Sequence, residues 1–327
     1  MTSKKVKKRE FIVYLKAIAC FLITNSHCRD IYPWFFLAIG GGHGNAIFFA
    51  VSGFCLANIK DDFFTWIKKR IVRVIKPLFF MIILSCFFIE GIDDITQMSF
   101  LQIVIFYINK YWFVAAIILY YPMYYLIFYK NNLKTASIFY IFYTVLYFTI
   151  YCFSDKSFFF VELEGFALFK VVFYFKVFMI GGLLRLWTKK IPNLSDRLMK
   201  RNSIIIILLC LFSILCWICI YFLTMILKKG YGIQFLIQSS ILVFSGSLML
   251  LSLLYEKLIN NISSRINSKI KRIISLISES TLEIYLIQVT FNEIAVEYRF
   301  PINAILFWCI AFGGGIIYHK LLSRIPI

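Results

Sequence analysis

The sequence predicts an all-α fold, a polytopic membrane bundle of about ten transmembrane helices with both termini in the cytoplasm. Three observations carry this expectation. Of the 327 residues, 61% are hydrophobic and 19% aromatic, and the mean hydropathy of +0.83 lies far outside the range of ordinary soluble domains. Apolar runs of about 17 residues or more, enough to cross a bilayer, recur along the whole length. The basic residues fall mostly in short loops between those runs, the pattern of the positive-inside rule. Lys and Arg number 35 against 16 Asp and Glu, a formal net charge of +19. In a soluble protein that excess would suggest nucleic acid; here topology accounts for it, and no nucleic-acid partner is expected. The nine cysteines sit within apolar runs as small hydrophobes, the C-x-x-C of Cys216 and Cys219 included.

The elements follow in order. The basic start, MTSKKVKKRE, is placed in the cytoplasm. A first span runs outward from Phe11 to about His27; it lacks a small-residue cleavage site and is read as retained. An outer Gly- and aromatic-rich loop, Asp30 to Gly44, leads to a second span, about Asn45 to Ile59. Residues 60–77, KDDFFTWIKKRIVRVIKP, suit an amphipathic helix at the inner interface. Pro77 then opens a third span to about Ile89. Residues 98–110 are too short to cross and are placed along the outer interface.

The fourth and fifth spans are Trp112 to Tyr129 and Ala136 to Phe153. An outer loop with Glu162 and Glu164 precedes the sixth, Leu168 to Trp187. After a basic inner loop come the seventh (Ser203 to Leu227) and eighth (Phe235 to Tyr255). The ninth, Ile273 to about Phe291, and the tenth, from about Ala304, leave His319, Lys320 and Arg324 inside. The cations that break the inside bias are Arg29, Lys110, Lys156, Lys228, Lys229 and Arg299 outside, with Lys170 and Lys176 within the sixth span. No loop has room for a soluble domain, so residues 1–327 read as a single membrane domain whose chemistry lies in the bundle or its short loops.

The first span carries two residues that lipid would reject. Lys16 and His27 are eleven helical steps apart, about 1100° or roughly three turns plus 20°, so they point the same way, about 16 Å apart along the axis. Ionisable groups inside a membrane face a protein interior or a wet cavity. His27 is a candidate general base for a hydroxyl nucleophile; taken alone, an interfacial histidine that caps the helix is the stronger reading. Lys16 either faces the interior or snorkels to inner headgroups. In WIKKRIVR, Lys69, Arg70 and Arg73 lie close together, and Arg70 and Arg73, three apart, share a helical surface that suits phosphate or serves topology alone. Ser52 and Gly53 are read as small residues for close helix packing. No metal ligand set stands out.

Taken in order, these segments resemble the acyltransferase 3 family of bacterial integral-membrane acyltransferases. Lys16-x10-His27 is similar to that family's Arg/Lys-x10-His motif in the first helix. GNAIFFAVSGF, residues 44–54, resembles its glycine-to-FFxxSGF second helix, and WIKKRIVRVIKP resembles its aromatic-x-basic-Arg-x-x-Arg stretch before a proline. STLEIYLIQ, residues 280–288, looks like its Ser-x-x-x-Tyr-Leu segment, and WFVAAIILYYP, residues 112–122, like its Trp-Phe helix. The resemblance spans nearly the whole chain. It departs at Lys16, where Arg is commoner; at Val13, where Asp often stands; and at Gln288, where histidine is frequent. No role is carried onto Val13 or Gln288, and the soluble hydrolase-like domain of some members is missing.

The resemblance implies an acyl-CoA-dependent O-acyltransferase of the bacterial cytoplasmic (inner) membrane. It would move an acetyl group from cytoplasmic acetyl-CoA, or another acyl group from its acyl-CoA, to a hydroxyl of a surface polysaccharide such as O-antigen or of a lipid-linked glycan precursor. His27 would be the general base, with Asn25 or Ser26 to orient it. Lys16, Lys69, Arg70 and Arg73 would hold acyl-CoA. The partners are then acyl-CoA, the glycan acceptor and the bilayer, with acyl-CoA a co-substrate and no tightly bound cofactor or metal. A transporter or flippase of an anionic or lipid-linked sugar is the competing reading, because it too places charges within spans.

Overall fold

The computed structural model describes residues 9–87, 98–159, 161, 165–190, 203–227, 234–296 and 299–325. The basic segment before Arg9, the end of the expected third span, Glu162 and Glu164, most of the basic loop before Ser203, and Lys228 and Lys229 lie outside these residues. All regular structure among the described residues is helical.

The core is built on α1 (Glu10–Ser26), α2 (Gly41–Leu56) and α7 (Leu168–Lys190). Lipid tails are as apolar as the side chains, so helices in a membrane associate through close packing, which small residues permit. A Cβ on Gly53 would overlap the carbonyl oxygen of Phe178, and one on Gly181 would overlap that of Ala50. α2 and α7 thus cross backbone to backbone, and the sequence-based reading of Gly53 as a packing residue holds. A Cβ on Gly44 would come within 2.9 Å of the Ala19 carbonyl, which fixes the crossing of α1 and α2 in the same way. Around these crossings the rings of Phe49, Phe113, Tyr120, Tyr174 and Phe178 form one aromatic cluster.

α3 (Phe63–Ser85) corrects the expected break at Pro77: the amphipathic stretch and the following apolar stretch are one helix that continues through the proline. It starts at Asp62, whose side chain accepts from the Thr65 N–H at 3.0 Å. That N-cap bond at the helix start holds the Asp62 carboxyl below the usual carboxylate range. Tyr318 donates to the Pro77 carbonyl at 2.6 Å and ties α3 to the end of the chain.

The 98–110 segment forms α4 (Phe100–Lys110), begun by a capping box of Ser99 and Gln102 and set at 93° to α5 (Trp112–Phe128). α6 (Leu133–Phe153), α8 (Ser203–Leu227) and α9 (Gln234–Leu254) are long and apolar. α10 (Glu256–Arg265) and α11 (Ser268–Glu279) are amphipathic.

A second correction falls on the expected ninth span. α11 and α12 (Thr281–Val296) meet at 69°, so the run from residue 273 to 291 is not one straight helix. The break sits at Ser280, and Thr281 turns its hydroxyl back onto the Ser278 carbonyl at 2.9 Å. The last span is α13 (Ile302–Trp308), a π-helical segment (Cys309–Gly314) and α14 (Gly315–Ser323). A Cβ on Gly315 would come within 2.7 Å of Ile284 Cα, so this glycine seats α14 against α12.

Four described helices are long and apolar enough to cross a membrane, and six if each bent pair counts as one span. The expected ten include α1 and α2, which have 17 and 16 residues, and the charge-bearing α3 and α7.

Candidate active site

A cavity of about 490 Å³ opens at one end of the bundle, where α1 and α12 finish and α2, α5 and α7 begin. His27, the C-cap of α1, lines it, with its backbone N–H on the Thr24 carbonyl at 3.2 Å. The imidazole is half-buried, and among the described residues no side chain or carbonyl hydrogen-bonds it. Facing it are Gly40, Gly41, Gly42 and Asn45. Gly40 has φ +103°, which a side chain would strain, and α2 starts directly after it without a side-chain cap. The first N–H groups of α2 are therefore at the cavity wall, with the positive end of the helix dipole behind them.

The rest of the wall is aromatic and amide-bearing. Trp112, Trp217, Tyr285 and Asn292 line it, and Trp217 Nε1 and Asn292 Oδ1 are buried without a protein partner among the described residues. Lys170, fully buried, holds its ammonium 3.9 Å from the Trp112 ring centre and donates to the Gly165 carbonyl. Lys110, also on the cavity wall, donates to Ser85 Oγ at 3.1 Å. An indole donor, an amide acceptor and stacking faces together suit a polyhydroxylated ligand.

Asn25 and Ser26 shape this site through hydrogen bonds to groups other than the imidazole. Asn25 donates to the Leu37 and Ile39 carbonyls at 2.8 and 2.9 Å and accepts from Tyr32 at 3.1 Å, and Tyr32 in turn accepts from Trp308 Nε1. Asn25 thus anchors the 37–40 loop that forms part of the wall. Ser26 lines the cavity, and its hydroxyl returns to the Ile23 carbonyl at 2.7 Å.

The other sequence-derived residues lie at the far end of the same helices. Lys16, Arg9, Arg73 and Arg185 all lie within electrostatic reach of Cys55, in the last turn of α2. Arg9 and Arg185 also sit over the Phe54 ring at 5.5 and 5.2 Å. Arg70 and Arg73 both reach Tyr121, and Arg70 Nε is buried without a hydrogen-bond partner among the described residues. Lys69 turns away and pairs with Asp61 at 2.8 Å on an exposed surface. Lys16 and His27 therefore meet opposite ends of α2. Between them, a void of only about 10 Å³ lies among Cys20, Phe48, Tyr285 and Gln288.

Sequence reasoning singled out Trp112 and Tyr285 through their motifs and Lys110 and Lys170 as misplaced charges. It gave no role to Asn45 within GNAIFFAVSGF, and it missed Trp217 and Asn292, which sit in apolar runs with nothing local to mark them. It also missed His43, a buried imidazole held edge-on by Trp217 and Phe244, with Nε2 unpartnered among the described residues.

A family model described as an acyltransferase domain, Acyl_transf_3, matches residues 9–318. No curated protein and no solved structure gives a match.

Proposed function

The chain belongs to this acyltransferase family, and from that premise we propose a membrane O-acyltransferase that moves an acetyl group from cytoplasmic acetyl-CoA to a hydroxyl of a surface polysaccharide or its lipid-linked precursor. The observation that carries the proposal is the half-buried imidazole of His27, without a protein partner among the described residues, on a cavity whose indole and amide groups await a hydroxylated ligand. The proposal includes the ten-span bundle in the bacterial cytoplasmic membrane, with this cavity on the outer side and the Cys55 end inside.

His27 takes the proton of the acceptor hydroxyl as its oxygen attacks the thioester carbonyl. The negative charge that develops on the carbonyl oxygen is received by the N–H groups of Gly41 and Gly42 at the open start of α2. The tetrahedral species collapses with loss of the CoA thiolate, which takes the proton back from the imidazolium. Lys16, Arg70 and Arg73 hold the nucleotide phosphates at the opposite end. The void of about 10 Å³ between the two ends means that α1 and α12 part to admit the pantetheine arm.

The test is His27→Ala in cells that O-acetylate a surface glycan, with mass spectrometry of the polysaccharide and equal amounts of protein in the membrane. Acetylation falls by about 10²–10⁴-fold if the imidazole is the base; retained acetylation overturns that role. Release of CoA by the purified protein separates acyl transfer from transport, which releases none.

A further inference from the structure

We propose that the groove between α6, α7 and α9 is a second ligand site, which holds the carboxylate of a long-chain fatty acid on Lys176. None of the residues that form it lines the His27 cavity. The groove has a volume of about 340 Å³ and an apolar lining that includes Val145, Phe148, Phe173 and Phe235. α6 is mostly exposed along an apolar span, so this face looks onto lipid tails.

Lys176 lies in this setting at 5% exposure. Its ammonium is 3.6 Å from the Tyr147 ring centre and 5.1 Å from that of Phe173. Among the described residues it has no ion pair and no hydrogen bond. Ring faces attract a cation but supply no counter-charge, and a buried ammonium within a span calls for an anionic partner. Lys170, one and a half turns earlier on α7, differs in having a carbonyl acceptor.

Two of the neighbouring polar groups are already used. Tyr147 donates to Gln238 Oε1 at 2.7 Å, and Gln238 donates to the Phe159 carbonyl at 2.7 Å. These bonds hold Phe159 against Tyr147 and Tyr151, over the end of α6. The groove meets the lipid-facing side of α6 at the exposed Val145 and Phe148. Lys176 is eight residues into α7, about 12 Å from its start. A bulky phosphodiester headgroup, which must stay in water, does not suit that depth. A small carboxylate on a single chain does, with the tail along Val145 and Phe148.

Equilibrium binding of radiolabelled palmitate to the purified full chain in nanodiscs tests the assignment. The expected result is saturable binding that weakens about tenfold or more in Lys176→Met and survives in Lys176→Arg. Val145→Trp fills the groove from an exposed position, 59% accessible, and should also abolish binding without loss of fold, checked by thermal melting. Methyl palmitate should not compete. Equal affinity in Lys176→Met or Val145→Trp, competition by the neutral ester, or displacement by hexadecyl phosphate at lower concentration than by palmitate would each overturn the proposal. His27→Ala should bind palmitate like the parent chain, so failure here is separable from failure of the acyltransfer mechanism.

Discussion

Thr24 Oγ1 donates a hydrogen bond to Gln288 Oε1 across 2.6 Å, with both residues buried. Thr24 also receives the His27 N–H on its carbonyl, and Gln288 lies one turn below Tyr285 of the cavity wall. This single bond joins the helix that ends at the imidazole to the helix that forms the opposite wall. It also gives a physical role to Gln288, where the family pattern often has histidine: here the position serves as a bolt between α1 and α12.

Thr24→Val and Gln288→Leu should therefore be coupled. A double-mutant cycle read by thermal unfolding in detergent is expected to return about 0.6 kcal/mol, up to about 1.7 kcal/mol, the range for hydrogen bonds between membrane helices. Additive effects would mean that the bond does not form.

Gly53→Ala and Gly181→Ala should each destabilise by about 1–3 kcal/mol, because the added methyl meets a facing carbonyl that cannot move without parting α2 from α7. Gly313→Ala, whose added carbon would meet nothing within 4 Å, is the control and should melt like the parent chain. Equal melting of all three variants would contradict the backbone-to-backbone crossing.

In the cavity, Trp217→Phe and Asn292→Leu remove one indole donor and one amide acceptor. Steady-state kinetics should show a higher KM for the glycan acceptor, by roughly tenfold for about 1.4 kcal/mol of lost hydrogen bonding, and an unchanged KM for acyl-CoA. A rise in the acyl-CoA KM instead would place the donor, and not the acceptor, at this end.

At the opposite end, Arg70→Ala with Arg73→Ala should raise the acyl-CoA KM by tenfold or more, since hydrogen bonds to charged groups contribute about 1.5–3 kcal/mol. Lys69→Ala should change it little, because that ammonium already pairs with Asp61 on an exposed surface. Equal effects of all three substitutions would point to a diffuse charge field in place of a fitted phosphate site.

Anchoring of the wall gives a fifth prediction. Asn25→Leu releases the Leu37 and Ile39 carbonyls and should cost about 1 kcal/mol of stability while it lowers kcat and leaves the acyl-CoA KM unchanged. Full activity in a variant of normal yield would show that the 37–40 loop needs no anchor.

Much of the fold is legible in the sequence because its signals are local. The Lys16–His27 spacing, the small residues of α2 and the short 98–110 segment depend only on helical period and length, and α4 is a separate helix as that length requires. Pro77 misled, since the sequence marks a proline as a boundary while the helix can run through it when neighbours hold the backbone; Tyr318 does so from the far end of the chain. The run across Ser280 also misled: continuous apolarity carries no record of a 69° turn.

Sequence alone determined that the chain is helical and built for a bilayer, and which short segments bear the family's motif residues, for these follow from composition and periodicity. Tertiary structure decided which groups meet. The approach of α1, α2 and α7 through Gly44, Gly53 and Gly181 sets His27 beside the start of α2 and Lys16 beside its last turn. The same packing brings Trp217 and Asn292 to one cavity and leaves Lys176 on a groove of its own. Such meetings rest on backbone contacts between residues up to hundreds of positions apart, and no local pattern of apolar and polar residues encodes them.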